Sequence, residues 1–300
     1  MSPDVAASVR QRLLNHARSM GRPFNEVFQH FVLERFLYRL GRSPYREQFV
    51  LKGALMFTAW QSPPTRPTRD IDLLGYMDNT VEQVVAAVQA ICQEPAPDDG
   101  LHFDLDSIGG ERIVEAAAYA GVRVRTVTYL GKARIPLQVD VGFGDPVVPG
   151  PSLITLPAQL DLPRPEVRGY SRESVIAEKL QAMVYLGPIN SRMKDFYDVW
   201  LLATAYAFEG PLLARAIRET FDRRQTSVPP DPVALTDAFV RAPGKGTQWR
   251  AFVNRQRLGD APGTLQETVQ VLSGFLLPVV QALSHGQPFD RHWPPGGPWM

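Results

Sequence analysis

One cysteine, Cys92, stands in the 300 residues, so no disulfide can close within the chain and no Cys-rich zinc site can be assembled. No unbroken apolar run approaches the roughly 18 residues that a membrane span requires. The opening Met1-Ser2-Pro3-Asp4 has no basic stretch leading into an apolar one, so no secretory leader is expected. A strong charge of either sign is also missing, since the formal net charge is +1. Bulk charge therefore does not announce a nucleic-acid binder, and a protein of the reducing cytoplasm is expected.

What is present is a hydrophobic share of 44%, ordinary for a globular protein. The charge is unevenly spread. Residues 1–70 carry eleven Lys and Arg against five Asp and Glu, a net +6. Residues 71–160 carry five against twelve, −7, and the remainder sixteen against fourteen, +2. The basic N-terminal arm reads either as a solvated helix face or as a surface that positions phosphates.

Hydrophobic spacing predicts helices over 4–20 and 23–41, where Phe24, Val27, Phe28, Phe31 and Val32 share one face and Gly41 serves as a stop. His30, with no second ligand at metal spacing, reads as a packed helix residue. A strand over 48–51 leads through Lys52-Gly53 into a helix over 54–60, a proline-rich loop over 61–68 and a strand over 70–74. Thr80-Val81-Glu82-Gln83 resembles a capping box before a helix over 81–93. Strands follow over 101–108, 122–129 and 134–142. Helices follow over 172–186, 195–208, 210–222, 233–241 and 264–284. The expected fold class is α+β, a small mixed sheet with helices followed by a helical region. The expected organisation is a helical segment 1–46, a core 47–160, a helical domain 161–285 and an irregular tail 286–300.

The chemistry centres on Asp70-Ile71-Asp72. Alternate residues of a strand share a face, which sets the two carboxylates roughly 6–7 Å apart at the backbone. Such acids repel unless a cation lies between them. A divalent ion, and with it phosphoryl chemistry, is the reading. On the strand near 135–143, Leu137, Val139 and Val141 oppose Gln138, Asp140 and Gly142, so Asp140 joins the pair if the strands are neighbours. Three carboxylates without His or Cys suit Mg²⁺ and a two-metal transfer. Asp104 and Asp106 form a second D-x-D, read as the solvent face of an edge strand. The Lys52-Gly53 step aims free backbone N–H groups at a bound phosphate. Lys179 lies on an apolar stripe with Val175, Ala182, Met183 and Leu186. It snorkels, bridges to Glu178 or Glu173, or reaches triphosphate oxygens or one of the acids. Arg192-Met193-Lys194-Asp195-Phe196-Tyr197-Asp198 places Asp195 and Asp198 on one helix face, as a site or as a solvated helix start.

Lys52-Gly53-Ala54, Arg66-Pro67-Thr68-Arg69-Asp70-Ile71-Asp72-Leu73, Asp140-Val141-Gly142-Phe143-Gly144-Asp145, Ala177-Glu178-Lys179 and residues 190–198 occur in that order. Together they resemble the AbiEii/AbiGii toxin family of nucleotidyltransferases, which includes the MenT-type toxins. The resemblance implies a polymerase-β-like nucleotidyltransferase core with a helical C-terminal domain. It implies Mg²⁺-dependent transfer of a nucleoside monophosphate from a nucleoside triphosphate (NTP). It also implies the 3′ end of tRNA as acceptor and a cognate AbiEi-like antitoxin as partner. On this basis Asp70 and Asp72 match the metal-binding acids, with Asp140 a third ligand or the base. Lys179 matches the phosphate-binding lysine, and Asp195 and Asp198 match the acids of the last motif. Gly53 is followed by Ala54 where the wider pattern has serine, so backbone N–H groups, Lys52, Arg66 or Arg69 replace that hydroxyl, and Arg192 is a further candidate for the nucleotide. The other expectations from the residues are a small-molecule or protein hydroxyl as acceptor, or a non-catalytic binding protein that retains the fold.

Overall fold

The computed structural model describes residues 3–60, 68–114 and 120–300. They fall into two compact units. One comprises the described residues up to Gly144 together with Ser152–Gly169, and the other comprises Asp145–Pro151 and Tyr170–Met300.

The first unit begins with α1 (Pro3–Ser19) and α2 (Phe24–Arg42). Val9, Leu13 and Ala17 form the buried stripe of α1, and its outer face carries Arg10, Arg12 and Arg18. By contrast α2 is buried on every side from Val27 to Leu40, which makes it the core helix of this unit. Its charged residues are paired internally. Arg39 grips Asp99 at 2.6 Å, and Arg35 lies 3.0 Å from Glu34 and donates to the Pro163 carbonyl at 2.6 Å. Part of the basic excess read as a phosphate surface is therefore structural. Gly41 does not end α2, as its composition suggests. The helix continues to Arg42, and Gly41 serves packing instead, since a side chain there would collide with the Glu166 backbone carbonyl.

The strands are β1 (Phe49–Lys52), β2 (Asp70–Gly75), β3 (Leu101–Val114), β4 (Ala120–Leu130), β5 (Ala133–Phe143), β6 (Ser152–Thr155) and β7 (Glu166–Gly169). Among the described residues they form one mixed sheet in the order β3-β4-β5-β2-β1-β7-β6. The β2/β5 and β1/β7 pairs are parallel and the others antiparallel. Asp104 and Asp106 lie on β3, which is an edge strand as expected. The short helix α3 (Leu55–Ala59) follows β1, and α4 (Val81–Gln93) follows β2, capped by the Thr80 hydroxyl. Strands β6 and β7 were not legible in the sequence. Each is four residues long, in a proline-rich stretch, and is held by pairing, β7 with β1 and β6 with β7, rather than by a pattern of its own.

The second unit holds α5 (Arg172–Leu186), α6 (Met193–Ala205), α7 (Gly210–Arg223), α8 (Asp237–Arg241), α9 (Lys245–Gln256) and α10 (Leu265–Ser284). Helix α10 is long and apolar enough to cross a membrane by length and composition. Its buried residues Leu265, Val269, Leu272, Phe275, Leu276, Val279 and Val280 nevertheless follow helical spacing, the pattern of a helix packed along one stripe. Residues 286–300 are largely irregular but not loose. The two-residue strands β8 (Phe208–Glu209) and β9 (His292–Trp293) pair. The Trp293 indole donates to Ala203 O at 2.7 Å and the Trp299 indole to Phe275 O at 2.8 Å.

Candidate active site

Strand β2 alternates as its sequence requires. Ile71 and Leu73 are buried, and Asp70 and Asp72 are half-exposed on the other face. The parallel register with β5 sets Asp70 opposite Gln138 and Asp72 opposite Asp140. Asp70, Asp72 and Asp140 each offer a carboxylate oxygen within 4.8 Å of the others. This spacing comes from the β2/β5 pairing, which the sequence left as a condition. Thr68 is buried and donates to Asp70 Oδ1 at 2.6 Å, fixing that carboxylate from two residues upstream.

Arg123 stands on β4, within the strand expected over 122–129. It lies opposite Asp140 across β4/β5. Its Nε donates to Oδ1 at 2.7 Å and its Nη2 to Oδ2 at 2.6 Å, and Gln138 Nε2 donates to the same Oδ2 at 3.2 Å. The carboxylate holds the guanidinium above its usual range, through the hydrogen bond first and the charge after it. The signal available in the sequence was an arginine at an alternating position, which gains meaning only from the register.

Lys52 ends β1, buried, directly opposite Asp72. Gly53 follows with φ +73°, and a Cβ there would collide with the Asp72 carboxylate. The close approach of strand and turn thus explains the glycine. The helix beyond is shorter than expected, five residues from Leu55, so it presents little dipole to a ligand. Arg69 is exposed, and its carbonyl accepts from Gln29 at 3.2 Å. Arg66 lies outside the described residues, as does nearly all of the loop read over 61–68.

In the second unit, Lys179 reaches the acids of the last motif. Its ammonium lies 3.0 Å from Asp195 and 2.7 Å from Asp198, while Glu178 pairs with Arg224 at 3.4 Å. Asp195 and Asp198 are buried, so they are not a solvated helix start. Burial works to raise the Asp195 carboxyl, but Lys179 and Arg192 outweigh it and hold it below its usual range. Arg192 Nε lies 2.6 Å from Asp195, and the Arg192 backbone N–H donates to Asn190.

The donor set of the first unit fits a hard divalent ion. It is all oxygen, without His or Cys, the donor type that Mg²⁺ prefers. Asp140 retains capacity, because each carboxylate oxygen can accept more than one bond.

Two solved structures are similar over most of their length. One is JHP933 from Helicobacter pylori, 16% identical, covering 91% of this chain and 94% of that one with a TM-score of 0.44. The other is a proposed nucleotidyltransferase from H. pylori, 15% identical, covering 91% and 96% with a TM-score of 0.46. The comparison with curated proteins gave no match. Residues 35–272 match the family model described as the nucleotidyl transferase AbiEii toxin of type IV toxin–antitoxin systems. With Asp70, Asp72 and Asp140 assembled on one sheet face and more than three-quarters of the sequence matched, the chain belongs to the AbiEii nucleotidyltransferase toxin family.

Proposed function

We propose that this chain acts in the cytoplasm as a Mg²⁺-dependent toxin that transfers a nucleoside monophosphate from an NTP to the 3′ end of tRNA, and that an AbiEi-like antitoxin restrains it. The observation that carries the reading is the convergence of Asp70, Asp72 and Asp140 from two paired strands. Family membership supports the reaction class and the existence of an antitoxin.

In the reaction the acceptor 3′ oxygen attacks the α-phosphorus, the bond to the β-phosphate breaks and pyrophosphate leaves. A divalent ion bound at the triad would neutralise charge on the triphosphate. Asp70 and Asp72 would hold that ion. Asp140 is better suited to ligation than to proton abstraction, because three of its acceptor positions are already taken by Arg123 and Gln138. Lys52 and Arg69 are proposed to meet phosphate oxygens beside the triad. In the second unit Lys179 is proposed to hold phosphate, with Asp195, Asp198 and Arg192 fixing its position.

The acceptor class is supported by α1. From Val5 to Asn25 the sequence has no acid, and Arg10, Arg12 and Arg18 are exposed. Such a face suits an RNA backbone, with binding that weakens as salt rises.

The test incubates the protein with Mg²⁺, each labelled NTP in turn and purified tRNA. Label in tRNA that is lost in Asp72→Ala supports the proposal. Label confined to protein or small molecules would overturn the acceptor, and no incorporation from any NTP would overturn the reaction.

A further inference from the structure

Lys52, Asp72, Asp140, Arg123 and Glu111 are successive register partners across β1, β2, β5, β4 and β3. Register partners share a face of the sheet, so the signs along this row run plus, minus, minus, plus, minus. The two facing acids of the triad are thus bracketed by cations built into the neighbouring strands. On the outer side, Arg125 takes Glu111 at 2.6 Å and Gln138 at 3.2 Å, and Arg123 closes on Asp140. Two parallel N–H bonds in the fork geometry of a guanidinium fix both the distance and the orientation of the carboxylate. The Asp140 side chain is 8% exposed and that of Arg123 28%, so the pair is partly shielded from screening.

We propose that Arg123 is the built-in counter-ion of the triad. Its charge lies against Asp140 before any cation arrives and sets how tightly a divalent ion is then held. The inference rests on the metal-binding reading given above. Three ionised carboxylates at this spacing repel one another, and Arg123 reduces their combined charge from −3 to −2. An entering divalent ion therefore meets less attraction than a bare triad would offer. Asp140 need not release Arg123 to ligate, since its Oδ1 accepts a single hydrogen bond, from Arg123 Nε, and can take a second interaction.

Mn²⁺ binding to the full chain without nucleotide, measured by calorimetry and by the paramagnetic resonance of free Mn²⁺, tests this directly. Arg123→Gln removes the charge and is expected to bind Mn²⁺ about tenfold more tightly. Arg123→Lys keeps the charge without the fork and is expected to stay within about threefold of the parent. Unchanged or weaker binding in Arg123→Gln would overturn the proposal, as would a lysine variant as tight as the glutamine one. If Arg123→Gln does not fold, the lysine variant decides alone, because a tenfold shift in either direction shows that charge does not set the affinity. A parent protein that binds Mn²⁺ no better than Asp72→Asn would remove the metal site itself, and the inference with it. A parent that binds, with an Arg123→Gln variant that binds equally, would remove only the role of Arg123.

Discussion

Asp72 is crowded on three sides, by Lys52 across one strand pair, Asp140 across the other and Gly53 in the turn. The glycine is the least replaceable of these neighbours. Its φ of +73° lies in the left-handed region, and any side chain there would strike the Asp72 carboxylate. Gly53→Ala is therefore expected to displace that carboxylate and to lower nucleotide transfer about 100-fold, with a smaller loss of stability of about 1–2 kcal/mol from the backbone conformation. A labelled-NTP assay beside a thermal melt separates the two effects. Near-parental transfer would show that Asp72 is not needed where it stands. The cluster of the second unit requires the same separation. Removing Asp195 would leave Lys179 and Arg192 less well paired in a buried setting, so lost activity in an Asp195 variant counts as chemistry only where the fold is shown intact.

The elements that carry the triad are ordinary β-strands, and their identity was legible from alternation alone. Ile71 and Leu73 against Asp70 and Asp72, and Leu137, Val139 and Val141 against Gln138 and Asp140, each specify a face. Alternation does not say which strand lies beside which. The parallel β2/β5 pairing is non-sequential, and Arg123 acquires its partner only through β4/β5. Short elements were hidden for a related reason. Strands β6 and β7, four residues each, take their structure from pairing, β7 with the distant β1 and β6 with β7. The C-terminal stretch is the extreme case. Its composition reads as irregular, yet Trp293 and Trp299 stack around Phe275 with ring centroids 4.9–5.6 Å apart. Trp293→Ala removes a buried indole and its bond to Ala203, and is expected to cost about 3–5 kcal/mol. Urea unfolding followed by circular dichroism measures this. A loss below about 1 kcal/mol would show that the tail adds little to the unit.

At the scale of the whole molecule, the buried charges make stability depend on pH in two directions. Burial pushes Glu34 up to about 7, against the opposing pull of Arg35 and the Gln159 N–H. The folded protein thus keeps a proton that the unfolded chain releases near 4.5. This contribution is complete below pH 4.5 and is lost as pH rises through about 7, by on the order of 3 kcal/mol. Asp195, held below 3.8, acts in the opposite sense, and its contribution disappears only on acidification. Glu34→Gln is expected to flatten the decline in urea midpoint between pH 4.5 and 7, and an unchanged slope would assign that decline to other groups. The basic excess of the first seventy residues divides along the same line. Arg10, Arg12 and Arg18 stay at the surface, while Arg35 and Arg39 are consumed inside the unit, and composition could not separate them. The sequence by itself determined the types of most longer elements, α9 excepted, the faces of the two acidic strands and the order of the motifs, because periodicity and spacing are local properties of a chain. Tertiary structure alone decided that Asp140 joins Asp70 and Asp72, that Arg123 clamps it and that Lys179 is paired with Asp195 and Asp198, because each of these depends on strand register or helix packing between residues far apart in sequence.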